Sequence, residues 1–222
     1  MLAIRVQIRR SSMSLRLLDL FCCQGGASMG YRQAGFSVVG VDIDPQPNYP
    51  FEFHQADALA YLLEFGDDFD VIVGSPPCQA HTNAQKIMGN DHPDFIDSMR
   101  ALLPAGKPYV IENVPGAPLR DPIELCGAMF GLGTYRHRLF ESNMPITAPE
   151  HPAHTVRTTK MGRPPVDGEF MHVVGNFSGV AQAKKAMGIS WMTRDGLRES
   201  IPPAYTHHIG RQLMTQLVRV AA

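Results

Sequence analysis

The sequence predicts an α/β protein built on a doubly wound, mostly parallel sheet that carries a small loop-rich insertion. Three observations carry that prediction. From Leu15 onward, short apolar runs of strand length recur with helical or turn segments between them, the pattern of parallel strands joined by crossovers. Residues 142–189 break this rhythm: Pro, Gly, Thr, His and basic side chains dominate and periodicity is weak. The final stretch, "HHIGRQLMTQLVRV", sets Ile209, Leu213, Leu217 and Val220 at helical spacing, so it should be a helix packed back on the sheet.

In chain order, residues 1–13 read as a flexible N-terminal extension, with Met13 as an alternative start. "LRLLDLF" is the first predicted strand, followed by a Gly-rich turn and a helix over "ASMGYRQAGF". "SVVGVDID", "FEFHQAD" and "FDVIVGSPP" are the next three strands, "HPDFIDSMRALLPAG" is a helix, and "KPYVIENV" is the fifth strand. Residues 14–141 and 190–222 are expected to form one domain interrupted by the insertion at 142–189, within which only "FMHVVGNF" has the character of a strand.

A chain of 222 residues is long enough to bury a real core. Its 20 basic and 21 acidic side chains leave a net charge of −1, which excludes a protein basic all over but not a local basic face. No apolar run reaches bilayer-spanning length and the N-terminus lacks the apolar core and cleavage site of a secretory signal, so a cytoplasmic location is expected, with no membrane partner. Four cysteines show no CxxC spacing and no matching histidine pattern. Neither a zinc site nor a disulfide framework is therefore expected, and no metal.

In open α/β sheets ligands bind beyond the carboxyl ends of the strands. The first strand-to-helix turn is "DLFCCQGGASMG", where Gly25 and Gly26 permit close backbone approach to a ligand and Asp19 and Phe21 add a polar group and a ring face. Asp42 ends the second strand, where it can hydrogen-bond a ribose, and Asp57 follows the third, where it can accept from an adenine amino group. Together these fit an adenosine ligand. A dinucleotide fits less well, because G-x-G-x-x-G is absent. Two prolines in "GSPPCQ" stiffen the chain before Cys78 and limit where its thiol can point. Glu112 ends the fifth strand in "IENV", and Arg136 and Arg138 lie in "YRHRLFE". A thiol, a carboxyl group and guanidinium groups converging on one cleft suit addition to C6 of a cytosine, which makes C5 able to attack an electrophilic carbon.

The chain resembles the DNA (cytosine-5) methyltransferases, in a compact form like that of phage-encoded members. "DLFCCQGGASMGYRQAGF" resembles that family's cofactor loop, "GSPPCQ" its nucleophile loop, "ENV" its base-binding triplet and "RHRLFE" its arginine segment, in family order over residues 15–141, with a looser match from Trp191 to Leu217. The resemblance implies a Rossmann-like S-adenosylmethionine-dependent methyltransferase fold, with a catalytic and cofactor-binding domain over 14–141 completed by 190–222. It implies Cys78 as nucleophile, Glu112 on N3 and Arg138 on O2 of a flipped cytosine, and Arg136 as a catalytic-site arginine that supports the cleft. Phe21, Asp42 and Asp57 would hold S-adenosylmethionine, with Asp19, Cys23, Gly25, Gly26, Ile43 and Pro77 completing the cofactor set. Gln79 and Thr82 would sit on the loop that closes over the base, next to His81, where family members often have an aromatic residue.

The insertion takes the place of the target-recognition region. Between His151 and Val166 it carries Arg157, Lys160 and Arg163 and no acidic residue, which suits double-stranded DNA. Two positions depart from the family pattern: Cys23 stands where Gly is usual, and Arg211 where Asn is usual. A cation at Arg211 near the cofactor's sulfonium would favour carboxy-S-adenosylmethionine, so carboxymethyl transfer is a competing reading. Cytosine-5 methylation of RNA and a catalytically silent DNA-binding protein are the other two.

Overall fold

The computed structural model describes residues 14–77, 95–161 and 163–220. The strands are β1 (Arg16–Leu20), β2 (Ser37–Asp42), β3 (Glu52–Gln55), β4 (Val71–Gly74), β5 (Tyr109–Asn113), β6 (Ile123–Leu125) and β7 (Arg138–Ser142). They form one sheet in the order β3-β2-β1-β4-β5-β7-β6. The first five strands pair in parallel, and β7 runs antiparallel to both of its neighbours, so it alone opposes the other six. The helices are α1 (Gly26–Gln33), α2 (Ala58–Phe65), α3 (Phe95–Leu102), α4 (Val180–Met187), α5 (Arg194–Glu199) and α6 (Pro203–Val220). Among the described residues no helix is long and apolar enough to cross a membrane.

The period-two alternation of each strand sends its side chains to two faces, and both faces are covered. Leu17, Val38, Val71 and Val110 pack with Tyr31 of α1 and Tyr205, Ile209 and Leu213 of α6. Leu18, Val39, Ile72 and Ile111 pack on the other side with Leu62 of α2 and Ile96 and Met99 of α3. The helical spacing of Ile209, Leu213 and Leu217 thus becomes the stripe by which α6 reaches the core, with Leu217 partly buried at its edge.

The insertion departs from expectation. "FMHVVGNF" is not a strand: only an isolated bridge from Phe170 to Thr158 forms. The amide of Phe170 donates to Arg157 O and that of Met171 to Gly133 O, so successive donors go to different segments, and Gly175 turns the chain at a φ of 50°. Its apolar residues Met171, Val173 and Phe177 instead join α4 and α5 in a third, smaller core. The helix α4 was not expected, nor was β6, which at three residues is too short to show alternation.

Candidate active site

The chain winds outward from β1 in both directions, and the carboxyl ends of β1, β2, β4 and β5 share one edge. A cavity of about 330 Å³ lies there. Its walls are Asp19, Phe21, Cys23 and Gly26 after β1, Asp42 and Ile43 after β2, Ser75, Pro76 and Pro77 after β4, and Glu112 and Arg138 of β5 and β7. The end of α5 and the loop after it close the cavity with Arg198, Glu199, Ser200 and Ile201, four residues that the sequence reading did not single out.

The turn after β1 is held in an unusual shape. Phe21, Cys23 and Gly25 have φ of 57°, 45° and 80°, a left-handed geometry that glycine takes freely and other residues adopt at a cost. The Cys23 amide donates to Asp42 Oδ2 at 2.9 Å, and the Asp44 amide to Asp42 Oδ1 at 3.1 Å. Each carboxylate oxygen keeps lone-pair capacity for a further donor. Burial pushes the Cys22 and Cys23 thiols well up, so both stay protonated at neutral pH. Asp19 is 1% exposed and accepts from Ser28 Oγ, whose own partner is the Tyr49 hydroxyl at 2.8 Å. Burial, reinforced by the charges of Asp42 and Glu112 and opposed by Ser28, pushes Asp19 up to about 7.

At the other end of the cavity, Glu112 Oε1 lies 2.9 Å from Arg138 Nε, yet among the described residues no donor reaches that oxygen in hydrogen-bond geometry. Burial raises the Glu112 carboxyl above the ordinary range, and Arg138, Ser75 and Arg136 oppose the shift. A carboxyl group so placed can hold a proton for a ligand nitrogen, with a guanidinium beside it for a carbonyl oxygen. Asn113 is a residue that the sequence reading passed over within "ENV". Buried, it donates from Nδ2 to Pro76 O at 3.0 Å and accepts the Val114 amide, fixing the two-proline turn against β5. Cys78, Gln79, His81 and Thr82 lie outside the described residues.

Several of the expected site residues lie outside the cavity wall. Arg136 does not line this cavity: its guanidinium donates to the carbonyls of Ser200, Val173 and Arg198, each at 2.7 Å, and so ties β7's approach to the loop ahead of α6. Its φ of 32° is held by those bonds and by the Tyr205 hydroxyl on its carbonyl at 2.9 Å. Asp57 is an exposed N-cap, accepting the Ala60 amide at 2.8 Å, and forms no part of the cavity wall. At Gly25 the close approach is that of the Tyr49 ring, which a Cβ would meet at 2.9 Å. Arg211 is exposed on α6 and lines a different surface hollow with Phe130, His207 and Thr215, so it offers no cation to the cavity. In the insertion, Arg157 and Lys160 are exposed, whereas Arg163 is paired with Glu169 at 2.5 Å. That acidic partner stands just beyond the stretch free of acids. Cys126, His137, His151 and His154, which no sequence spacing groups together, meet in space.

Residues 15–120 match the family model of the C-5 cytosine-specific DNA methylases. Type II methyltransferase M.AquIA of Picosynechococcus sp. is 32% identical over 126 residues, covering 47% of this chain and 50% of that protein. Type II methyltransferase M.HgiGI of Herpetosiphon aurantiacus is 29% identical over 123 residues, covering 47% of this chain and 94% of that protein. The chain spans half or less of the length of the first curated relatives that it matches, with 50%, 32% and 42% covered. Among solved structures, the Entamoeba histolytica methyltransferase EhMeth is similar with a TM-score of 0.63 at 13% identity, over 92% of this chain and 99% of that one. The likeness shows a shared Rossmann-like methyltransferase fold.

Proposed function

From the match of residues 15–120 to the C-5 cytosine-specific DNA methylase family model, we propose that this protein transfers a methyl group from S-adenosylmethionine to C5 of a flipped cytosine in double-stranded DNA. The observation that carries the reading is the meeting of Glu112 and Arg138 in the same cavity as Asp19, Phe21 and Asp42. Phe21 and the 63% exposed Ile43 offer apolar faces for an adenine, and Asp42 has acceptor capacity for ribose hydroxyls. The residues present therefore fit S-adenosylmethionine, which supplies an electrophilic methyl group when bound. Gly26, whose Cβ would meet Ser200 Oγ and Ile201 O, lets those two residues close on the turn after β1, and Cys23 takes the family's glycine position in the left-handed geometry that glycine favours.

Cys78 follows Pro77, which lines the cavity, and serves as the nucleophile. Its thiolate forms a bond to C6 while Glu112 donates a proton to N3 and Arg138 stabilises charge at O2. C5 then takes the methyl group, with S-adenosylhomocysteine as the leaving product; Glu112 takes the N3 proton back as the C5 proton passes to water and the C6–sulfur bond breaks, releasing the Cys78 thiolate. Arg136 and Asn113 act as positioning residues. Gln79 and Thr82 close over the flipped base, and residues 142–189 form the target-recognition region. Arg211 lines a different hollow, which favours the methyl donor over a carboxymethyl one.

Incubation with S-adenosylmethionine and duplex DNA containing 5-fluorocytosine should trap a covalent adduct, because the fluorine cannot leave as the C5 proton does. Cys78→Ser should lose the adduct and reduce turnover to background while keeping cofactor binding. No adduct across varied DNA sequences, or wild-type turnover in Cys78→Ser, would sink the covalent mechanism. Adduct on transfer RNA in preference to duplex DNA would move the substrate to RNA. DNA binding without release of S-adenosylhomocysteine would make the protein a silent binder.

A further inference from the structure

Cys126, His137, His151 and His154 each offer one ligand atom, and the four atoms lie within 4.8 Å of one another. Cys126 Sγ is 3.3 Å from His154 Nε2, and His137 Nε2 is 3.2 Å from His151 Nε2. A tetrahedron with metal–nitrogen bonds of about 2.0–2.1 Å and a metal–sulfur bond of about 2.3 Å has nitrogen–nitrogen edges of about 3.3 Å and nitrogen–sulfur edges of about 3.6 Å. Two opposite edges of that size are therefore already formed. The His151 Nδ1 lies 2.9 Å from Pro152 O, so its proton sits there and Nε2 turns its lone pair to the cluster. His154 is stacked on Tyr135 with ring centroids 3.7 Å apart, which fixes that ring. Cys126 is fully buried and its sulfur accepts the Met129 amide.

We propose that these four side chains form a structural zinc site. One thiolate and three imidazoles make a borderline-soft donor set that suits Zn²⁺ and disfavours Mg²⁺ and Ca²⁺, which take oxygen ligands. Four protein ligands leave no position open to a substrate, so the site is structural. Binding takes three neutral imidazoles and releases the proton of the Cys126 thiol, which leaves the site with one net positive charge. Glu124 Oε1, 3.5 Å from His137 Nε2, offsets part of it. His137 stands between Arg136 and Arg138, whereas His151 and His154 belong to the insertion. The ion thus clips the insertion to the segment that carries Arg138, and metal binding itself does not depend on the proposed reaction.

The test uses the full chain, purified without a histidine tag. Elemental analysis should find about one zinc per chain, and a His151→Ala/His154→Ala double variant, altered only at exposed side chains, should hold less than a tenth of that. Cobalt added to chelator-stripped protein should give the strong visible absorption of a four-coordinate site and a thiolate-to-metal band in the near ultraviolet. Cys126→Ser should abolish the thiolate band. Stripping zinc should lower the melting temperature of the wild type and leave that of the double variant unchanged. Less than a tenth of an equivalent of zinc with no cobalt spectrum would overturn the proposal, and so would equal zinc in wild type and double variant.

Discussion

Asp19 shows how burial rewrites one carboxyl group. Its ordinary value is 3.8, and burial lifts it to about 7 in the folded chain. Between those values the native state keeps a proton that the unfolded chain has released, so this group's contribution to stability is full below about pH 4 and declines as pH rises to about 7. The decline between pH 5 and pH 8 is on the order of 2–3 kcal/mol. Asp19→Asn is neutral at every pH and still accepts from Ser28, so the variant should gain that much relative to wild type between pH 5 and pH 8, read from urea unfolding at both. A gap that does not move with pH would mean that Asp19 ionises as freely folded as unfolded. The acidic residue was legible in "DLF" as a candidate ligand contact, but its proton was not, because desolvation depends on what the fold stacks around it. Arg136 is similar: two arginines in "YRHRLFE" look alike as letters, and only the position of three distant carbonyls separates the positioning residue from the one beside Glu112.

At the scale of elements, the packing of α1 on α6 is set by small residues rather than by large ones. A Cβ at Gly30 would meet Thr206 Oγ1 at 2.0 Å, Pro203 O at 2.2 Å and the His207 nitrogen at 2.6 Å. Two of those three atoms are backbone, so α6 would have to move. Gly30→Ala should therefore cost about 3 kcal/mol despite alanine's better helix propensity, with the melting temperature as the measurement. An unchanged or higher melting temperature would show that the two helices are not in contact at this point. The helical spacing of α6 was legible because its partner is a whole sheet face, on which period alone decides which side is buried. "FMHVVGNF" was misread for the converse reason. A strand needs a neighbour that continues beside it, and this run pairs with residues 157–159 only at Phe170 before Met171 turns its bond to Gly133.

For the molecule as a whole, the proposed function requires the insertion to meet DNA. Arg157 and Lys160 are free to meet phosphates, whereas Arg163 is held by a Glu169 whose side chain is 14% exposed. Arg157→Ala and Lys160→Ala should each weaken binding and lower the slope of log affinity against log salt by about 1. Arg163→Ala should leave the slope alone and lower the melting temperature, because it strands a mostly buried carboxylate. Equal slopes for all three variants and wild type would mean that this face does not touch phosphate. The sequence by itself determined the α/β class, the five strands in chain order from β1 to β5, the cleft where they end, and the candidacy of Cys78, Glu112 and Arg138. Strand period and strand-end chemistry are local properties, and parallel pairing carries those ends to one edge. The tertiary structure decided that Asp57 caps a helix, that Arg211 faces away, that Arg163 is neutralised, and that Cys126 joins His137, His151 and His154. The cap at Asp57 is a local contact three residues long that the sequence could have offered; the other three depend on where the fold brings separate segments, and spacing along the chain carries no record of them.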